Sequence, residues 1–188
     1  MKTIRVEGKN EEILVGKILC LGSNYVDHVK EMGLDIPREP MVFIKPSTAI
    51  VWSGEDIVIP GISQEMHHEV EFVIAIGKNG RSIPTSESLR HVLGYGVGLD
   101  MTLRDMQREA RKKGSPWSIA KGFDTSAPIS EIIPVSKIKD PKQLVIRCRV
   151  NGQLRQEGLI RDMILGIENI IEYVSSVFTL EQIGRAHV

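Results

Sequence analysis

The clearest pattern in the chain is an alternation of apolar and polar positions from residue 67 to residue 77. One side is apolar at every second position, while the other begins with Glu69 and Glu71 and turns apolar at Val73 and Ala75. A period of two predicts a β-strand, and the apolar end of the second side indicates that this side is also buried. Two buried acids need a cation nearby. The strand alone leaves two interpretations open: a metal site, or two carboxylates on a solvated face.

A second alternation leads to a third acid. Three glycines alternate with bulky residues from residue 94 to residue 99, and Asp100 takes the next place on the glycine side. Glycine weakens a strand, so three of them on one face predict the close approach of another chain segment or of a ligand. Asp100 would then complete a three-carboxylate set with Glu69 and Glu71, and hard cations such as Mg²⁺ prefer oxygen ligands of this kind.

The other periodic segments predict the remaining elements of secondary structure. An Asn-Gly pair between two strand-like runs is the favoured sequence for a two-residue hairpin turn. Apolar residues at helical spacing near the end of the chain predict a helix that faces the core. Strands are predicted over 17–21, 41–47 and 56–60, helices over 25–32, 86–93, 103–113 and 163–177, and a hairpin over 144–156.

Two polar residues of the predicted helix 25–32 form a candidate proton-transfer pair. His28 and Glu31 stand three positions apart and therefore share a helix face. The carboxylate can accept a hydrogen bond from one imidazole nitrogen and leave the other nitrogen free to take a proton from water. The alternative interpretation is a surface ion pair, which is the commoner role of such a pair.

Two lysines stand out because they occur in apolar surroundings. Lys45 ends an apolar strand, so it is either a site residue or an edge lysine whose ammonium group reaches water. Lys121 lies within the apolar run 117–123 and is either paired with an acid or facing a cavity.

Composition restricts the class of protein. The 188 residues, 41% of them hydrophobic, suit one domain with a sizeable core. Equal numbers of basic and acidic residues, 24 of each, give no indication of a nucleic-acid or membrane-surface partner. We find neither a membrane-spanning run nor a signal peptide and expect a cytoplasmic protein. Cys20 and Cys148 each lie in an apolar run, and we expect reduced thiols.

Taken together, these motifs resemble the fumarylacetoacetate hydrolase superfamily, and within it the acylpyruvase and oxaloacetate-decarboxylase-like branch. Several separate motifs in the family's order are more specific than any one of them. Ser23 departs from the family pattern, because close relatives often carry Arg there, and this affects substrate preference more than chemistry. The matching segments are 22–25 with 27–28, 43–47, 67–71, 98–105, 117–124 and 150–152.

The resemblance implies a mainly β fold with short helices, an α+β mixed β-sandwich roll that typically forms a homodimer. It also implies that Glu69, Glu71 and Asp100 hold Mg²⁺ or Mn²⁺. The substrates would be small 2-oxo acids with a second carbonyl group: acylpyruvates, hydrolysed at a C–C bond, or oxaloacetate, which is decarboxylated. Breaking the C–C bond leaves a carbanion, and a divalent ion beside its oxygen stabilises the developing enolate.

The resemblance also assigns roles to the candidate polar residues. His28, held by Glu31, would deprotonate the attacking water, and Lys121 would hold an oxygen of the substrate or intermediate. Three further residues match positions near the family's site and are weaker candidates for substrate binding: Lys45, Arg104 and Gln107. Two alternatives remain, namely the isomerase and decarboxylase chemistry of aromatic degradation (2-hydroxyhepta-2,4-diene-1,7-dioate type), which would not need the His28–Glu31 pair, and a metal-binding but catalytically silent scaffold.

The end of the chain departs from the family. We expect a single catalytic domain over residues 1–181, without the last strands of the family fold, followed by a non-native tail at 182–188 that resembles a translated sequencing adapter. Loss of those strands would leave apolar side chains uncovered and a sheet edge unpaired. An intact gene with an in-frame stop after Val188 would contradict this hypothesis.

Overall fold

The computed structural model describes residues 2–9, 12–22, 24–25 and 40–181. The predicted helix 25–32, apart from its first residue, lies outside the described residues, and so do His28, Glu31 and the tail 182–188. In the part of the chain that is described, no helix is long and apolar enough to cross a membrane.

Strands dominate the described residues, and most of the helices are short, which confirms the predicted mainly β, α+β fold. Single 3₁₀ turns lie at 47–49, 89–91, 135–137, 141–143 and 160–162. The strands are β1 (Thr3–Arg5), β2 (Glu12–Leu14), β3 (Lys17–Gly22), β4 (Met41–Pro46), β5 (Ile50–Trp52), β6 (Met66–His67), β7 (Val70–Ile76), β8 (Val92–Leu99), β9 (Thr102–Leu103), β10 (Ala127–Ile129), β11 (Ile133–Pro134), β12 (Val145–Val150) and β13 (Gln153–Leu159). The α-helices are α1 (Thr85–Ser88), α2 (Arg104–Lys113), α3 (Ser118–Lys121) and α4 (Ile167–Val177).

The central sheet is built around β8, which pairs antiparallel with β7 on one edge and with β10 and β11 on the other. β5 extends the sheet by parallel pairing with β10. In the β7–β8 ladder, Glu71 lies opposite Gly98 and Val70 opposite Leu99. The backbone N–H of Asp100 donates to the Glu69 carbonyl at 2.8 Å. Register therefore brings all three predicted acids to one end of this strand pair.

The three glycines of β8 make room for a chain segment, which decides between the two interpretations of the glycine face. A Cβ at Gly96 would lie 2.8 Å from Ile132 Cδ1, and one at Gly98 would lie 3.2 Å from the Pro128 carbonyl oxygen. At Gly94 an added Cβ would overlap the backbone carbonyl of Ile133. The segment that carries β10 and β11 therefore packs directly on the bare face of β8.

Both faces of β7 are covered, as the sequence predicted. On one face its side chains pack against a core that includes the apolar face of α4, namely Ile167, Ile171 and Val174. On the other face Val73 and Ala75 pack against a second core formed with β1, β2 and β5. β7 is consequently a central element whose only charged member, Glu71, points into the interior.

Several local predictions are confirmed. The hairpin forms between β12 and β13, and both turn residues adopt the positive φ that the tight turn requires, 51° at Asn151 and 79° at Gly152. Helix α2 ends at Gly114, whose φ of 64° lets the chain turn out of the helix.

Other local predictions are wrong. The predicted strand 56–60 is an extended loop without strand pairing, and the chain forms its strand earlier, at β5. The predicted helix 86–93 is reduced to α1 and one 3₁₀ turn, because β8 begins at Val92 and pairs with β7. The final helix begins at Ile167 rather than at 163, since Gly166 stands in extended backbone immediately before it.

We predict that Gly94→Ala destabilises the protein by about 1–3 kcal/mol, because its Cβ would force the Ile133 backbone away from β8. Gly61→Ala is the matched control, since a Cβ there would meet no atom within 4 Å. Urea denaturation of the two variants and the parent chain measures the effect. Equal stability of the two variants would show that the β10–β11 segment does not pack on β8 as described.

Candidate active site

The three predicted acids lie together at the end of the β7–β8 ladder. Glu69 directly precedes β7, Glu71 is its second residue, and Asp100 directly follows β8. Asp100 is only 6% exposed. Burying several carboxylates so close together is unfavourable unless positive charge is brought in with them.

Lys121 supplies part of this positive charge. It is the last residue of α3, is 3% exposed, and donates from Nζ to Glu69 Oε2 at 2.7 Å and to Asp100 Oδ2 at 2.5 Å. The open question about this lysine is thereby answered, because it is paired with acids and also lines a cavity. Two of its three N–H donors are used by carboxylates, and the third makes no hydrogen bond to a described residue.

Lys45 lies on the opposite side of Asp100 and is 1% exposed. Its Nζ donates to the backbone carbonyls of Met101, Lys121 and Ser126, which uses all three of its donors. The same nitrogen is 2.9 Å from Asp100 Oδ1, yet this oxygen accepts no well-aligned hydrogen bond. The Lys45–Asp100 contact is therefore an ion pair without a hydrogen bond. A role for Lys45 in substrate binding stays a prediction and would cost one of the three carbonyl bonds.

Arg104 connects Glu69 to helix α2. Its guanidinium group donates to Glu69 Oε1 and, at 2.6 Å, to Gln107 Oε1 one helical turn further on. Burial acts to raise the pKa of Glu69, but the positive charges of Lys121 and Arg104 outweigh burial and lower the pKa to about 2. Glu69 is thus a fully ionised carboxylate with two cationic partners.

Glu71 differs from the other two acids because its carboxylate makes no hydrogen bond or ion pair with any described residue. Burial raises the pKa of Glu71 to about 8, and the negative charges of Asp100 and Glu69 act in the same direction. Its side chain is half-buried by accessible surface, since the carboxylate faces cavity space rather than packed atoms.

The acids face a cavity of about 730 Å³ between the central sheet, α2, α3 and the β12–β13 hairpin. A smaller cavity of about 250 Å³ lies on the other side of Glu71 and Asp100, lined mainly by apolar residues of β3, β7 and α4. Cys20 lies in this apolar region, where burial and then Asp100 raise the pKa of its thiol to about 12. Both Cys20 and Cys148 are free thiols, as expected.

The donor set suits a hard divalent cation in its chemistry. Carboxylate oxygens are the ligands that Mg²⁺ and Mn²⁺ prefer, and the Glu71 carboxylate has no ion pair or hydrogen bond with a described residue. Within the described ranges, however, no three acid, His or Cys side chains are grouped closely enough to enclose an ion. The Lys121 ammonium group instead contacts two of the three carboxylates. Metal binding by this set stays a prediction.

The structure brings most of the sequence-predicted residues to one cavity and places the others as follows. Lys45 lies beneath Asp100, and His28 and Glu31 lie outside the described residues. Three further charged lining residues, Arg155, Glu157 and Asp162, were not singled out by the sequence. Arg155 and Glu157 belong to β13, where alternation puts direct neighbours on opposite faces. The cavity is lined by Glu69, Glu71, Asp100, Arg104, Gln107 and Lys121 among the predicted residues.

We predict that Lys45→Met destabilises the protein by about 3–5 kcal/mol, because it leaves buried Asp100 with one fewer cation and three carbonyls without their donor. Lys113→Met is the control. That lysine is exposed, and its Nζ lies 4.0 Å from Glu109 Oε2, which is a long and weak ion pair. Thermal or urea unfolding compares the variants. A Lys45→Met protein as stable as the control would contradict the role of Lys45 as an internal counter-ion.

The comparisons with known proteins agree on one family. The family model for the fumarylacetoacetate (FAA) hydrolase C-terminal domain matches residues 17–183. Oxaloacetate tautomerase FAHD1, mitochondrial, from Mus musculus is 47% identical over 165 residues, which cover 88% of this chain and 75% of the relative.

Solved structures give the same assignment. The crystal structure of fumarylpyruvate hydrolase from Pseudomonas aeruginosa in complex with Mn²⁺ and pyruvate has a TM-score of 0.91 at 38% identity, covering 96% of this chain and 80% of that one. The structure of 5-carboxymethyl-2-hydroxymuconate delta-isomerase from Mycobacterium smegmatis has a TM-score of 0.79 at 35% identity, covering 92% and 66%. This chain, with its buried acids and lysines, belongs to the fumarylacetoacetate hydrolase family.

Proposed function

We propose that this protein is a divalent-metal-dependent enzyme that cleaves a C–C bond in a small 2-oxo acid through an enolate. The reaction would be hydrolysis of an acylpyruvate, decarboxylation of oxaloacetate, or both. The observation that carries the proposal is the group of three carboxylates at one cavity, of which Glu71 makes no hydrogen bond or ion pair with a described residue. The solved relative that holds Mn²⁺ and pyruvate supports it.

Glu69, Glu71 and Asp100 would hold Mg²⁺ or Mn²⁺. When bound, such an ion supplies a Lewis acid that stabilises negative charge developing on a substrate oxygen. The two lysines suit different tasks. Lys45 donates all three of its N–H groups to backbone carbonyls and holds Asp100 in place by its charge. Lys121 has one remaining N–H, which can donate to an oxygen of the substrate or of the enolate.

Arg104 and Gln107 would orient the substrate. The Arg104 guanidinium group has five N–H donors, and its bonds to Glu69 and Gln107 leave others for a substrate carboxylate. His28, held by Glu31, would take the proton from the water that attacks the distal carbonyl of an acylpyruvate. Decarboxylation of oxaloacetate releases CO₂ and needs no such water.

We predict that Glu71→Gln weakens Mn²⁺ binding at least about tenfold. Removing a residue that only hydrogen-bonds to a metal ligand already lowers metal affinity by about this factor, and loss of an anionic ligand itself should lower it no less. Isothermal titration calorimetry of the full chain measures the dissociation constant. Glu109→Gln removes one exposed carboxylate on α2 that bonds Lys112 and serves as the charge-matched control. Unchanged affinity of Glu71→Gln would remove Glu71 from the set of metal ligands.

We predict that His28→Gln abolishes pyruvate release from acetylpyruvate while leaving release from oxaloacetate within a few-fold of the parent rate, because only hydrolysis requires activation of water. A coupled assay for pyruvate measures both rates. His91→Gln, at a half-buried ring that contacts the Lys78 carbonyl and does not line the cavity, is the control. Unchanged acetylpyruvate hydrolysis by His28→Gln would contradict the proposed mechanism.

Two other reactions of the same family are second candidates. The mouse relative favours tautomerisation of oxaloacetate, in which a proton moves between C3 and the 2-oxo oxygen and no C–C bond is cleaved. The Mycobacterium smegmatis relative favours isomerisation of an unsaturated 2-oxo acid. Each reaction would pass through an enolate or dienolate of its own substrate, which a divalent ion stabilises in the same way. Loss of the ultraviolet absorbance of enol-oxaloacetate without release of pyruvate would distinguish tautomerisation from cleavage, and metal binding without either signal would indicate a silent scaffold.

A further inference from the structure

Arg155 is brought to the cavity by an irregularity in the β12–β13 hairpin. In the ladder, Cys148 pairs with Gln156 and the next residue, Arg149, pairs with Leu154, so Arg155 is the extra residue of a β-bulge. A bulge interrupts the strict alternation of side chains and redirects the extra one. Arg155 and its neighbour Gln156 can therefore both line the same cavity.

Gln156 fixes this part of the hairpin against the acid-bearing strand. Its side-chain oxygen accepts from the backbone N–H of Val70 at 2.9 Å, and its side-chain nitrogen donates to the His68 carbonyl at 3.3 Å. These backbone groups lie on either side of Glu69 in the chain. The bulge is thus tied directly to the segment that carries two of the candidate metal ligands.

The Arg155 guanidinium group makes no ion pair or hydrogen bond with any described residue. The other charged lining residues apart from Glu71 have partners of opposite charge, including its neighbour Glu157, which is bonded to Arg147, and Asp162, which lies 3.8 Å from Arg161. The cavity therefore holds one unpaired acid, Glu71, and one unpaired guanidinium group, Arg155, among the described residues that line it.

We propose that Arg155 is a specificity-determining residue that binds the second carboxylate of a dicarboxylic 2-oxo acid. The inference rests on the proposed function, in which the 2-oxo acid end of the substrate lies at Glu69, Glu71 and Asp100. A planar guanidinium group matches a carboxylate with two parallel N–H···O bonds and distinguishes it from a neutral group of similar size. The hairpin thus selects substrates with a charged far end over acylpyruvates with a methyl or alkyl end.

Binding of two stable acids that differ only at the far end tests this assignment. 2-Oxoglutarate ends in a carboxylate and 2-oxopentanoate in a methyl group. Isothermal titration calorimetry of the full chain with Mn²⁺ gives both dissociation constants for the parent, Arg155→Gln and Arg155→Lys. Arg149→Gln is the matched control, because this exposed arginine of the same hairpin does not line the cavity and reaches only the Gly152 carbonyl.

We expect Arg155→Gln to weaken 2-oxoglutarate binding about tenfold, because one charge-assisted hydrogen bond at an accessible position is lost. The dissociation constant of 2-oxopentanoate should not change. Arg155→Lys should recover part of the preference, and Arg149→Gln should behave as the parent. An unchanged ratio of the two constants in Arg155→Gln would overturn the role of Arg155 while leaving the proposed function intact. Binding of neither acid by the parent chain would overturn the proposed function itself, and this inference with it.

Discussion

Asp100 is buried between two lysine ammonium groups, and this arrangement of charge holds the candidate site together. The free energy lost in removing three such charges from water is recovered only when each charge is well partnered. Lys121 bonds Asp100 and Glu69, and Lys45 contacts Asp100 while bonding three backbone carbonyls around it. The same contacts connect β4, the end of β8, α3 and the segment that follows it. The candidate site therefore depends on the correct packing of these elements.

Backbone register determines which acids can meet. Asp100 follows β8 and Glu69 precedes β7, and antiparallel pairing of these strands places the two residues side by side. Glu71 lies opposite Gly98 in the same ladder, one pair from its end. The glycine face of β8 thus admits the segment that carries β10 and β11.

The sequence predicted those parts of the structure that depend on local periodicity and turn chemistry. The alternation around Glu69 and Glu71 identified β7, and the Asn151-Gly152 pair identified the hairpin. The predicted strand 56–60 does not form, because apolar residues there have no strand to pair with, and local pattern carries no information about a missing partner. The predicted helix 86–93 ends early because its last residues have a strand partner in β7, and the local pattern does not reveal this partner either.

For the site too, the sequence identified some residues, whereas the contacts between distant residues could not be predicted from it. Three carboxylates and one cavity lysine could be picked out as residue types in unusual surroundings, and the family resemblance supplied their roles. The three carbonyl partners of Lys45 come from positions 56, 76 and 81 residues away in the chain and could not be read from local sequence. Arg155 was missed because a β-bulge is a departure from alternation, and sequence interpretation assumes alternation.

We propose that Glu69, Glu71 and Asp100 form a binding site for a divalent cation. Anomalous X-ray diffraction from crystals of the full chain grown with Mn²⁺ tests it most directly. We expect one strong anomalous peak at metal–oxygen bonding distance from carboxylate oxygens of all three residues. A peak elsewhere, or crystals in which Lys121 still bonds Glu69 and Asp100 and no peak lies beside Glu71, would contradict it.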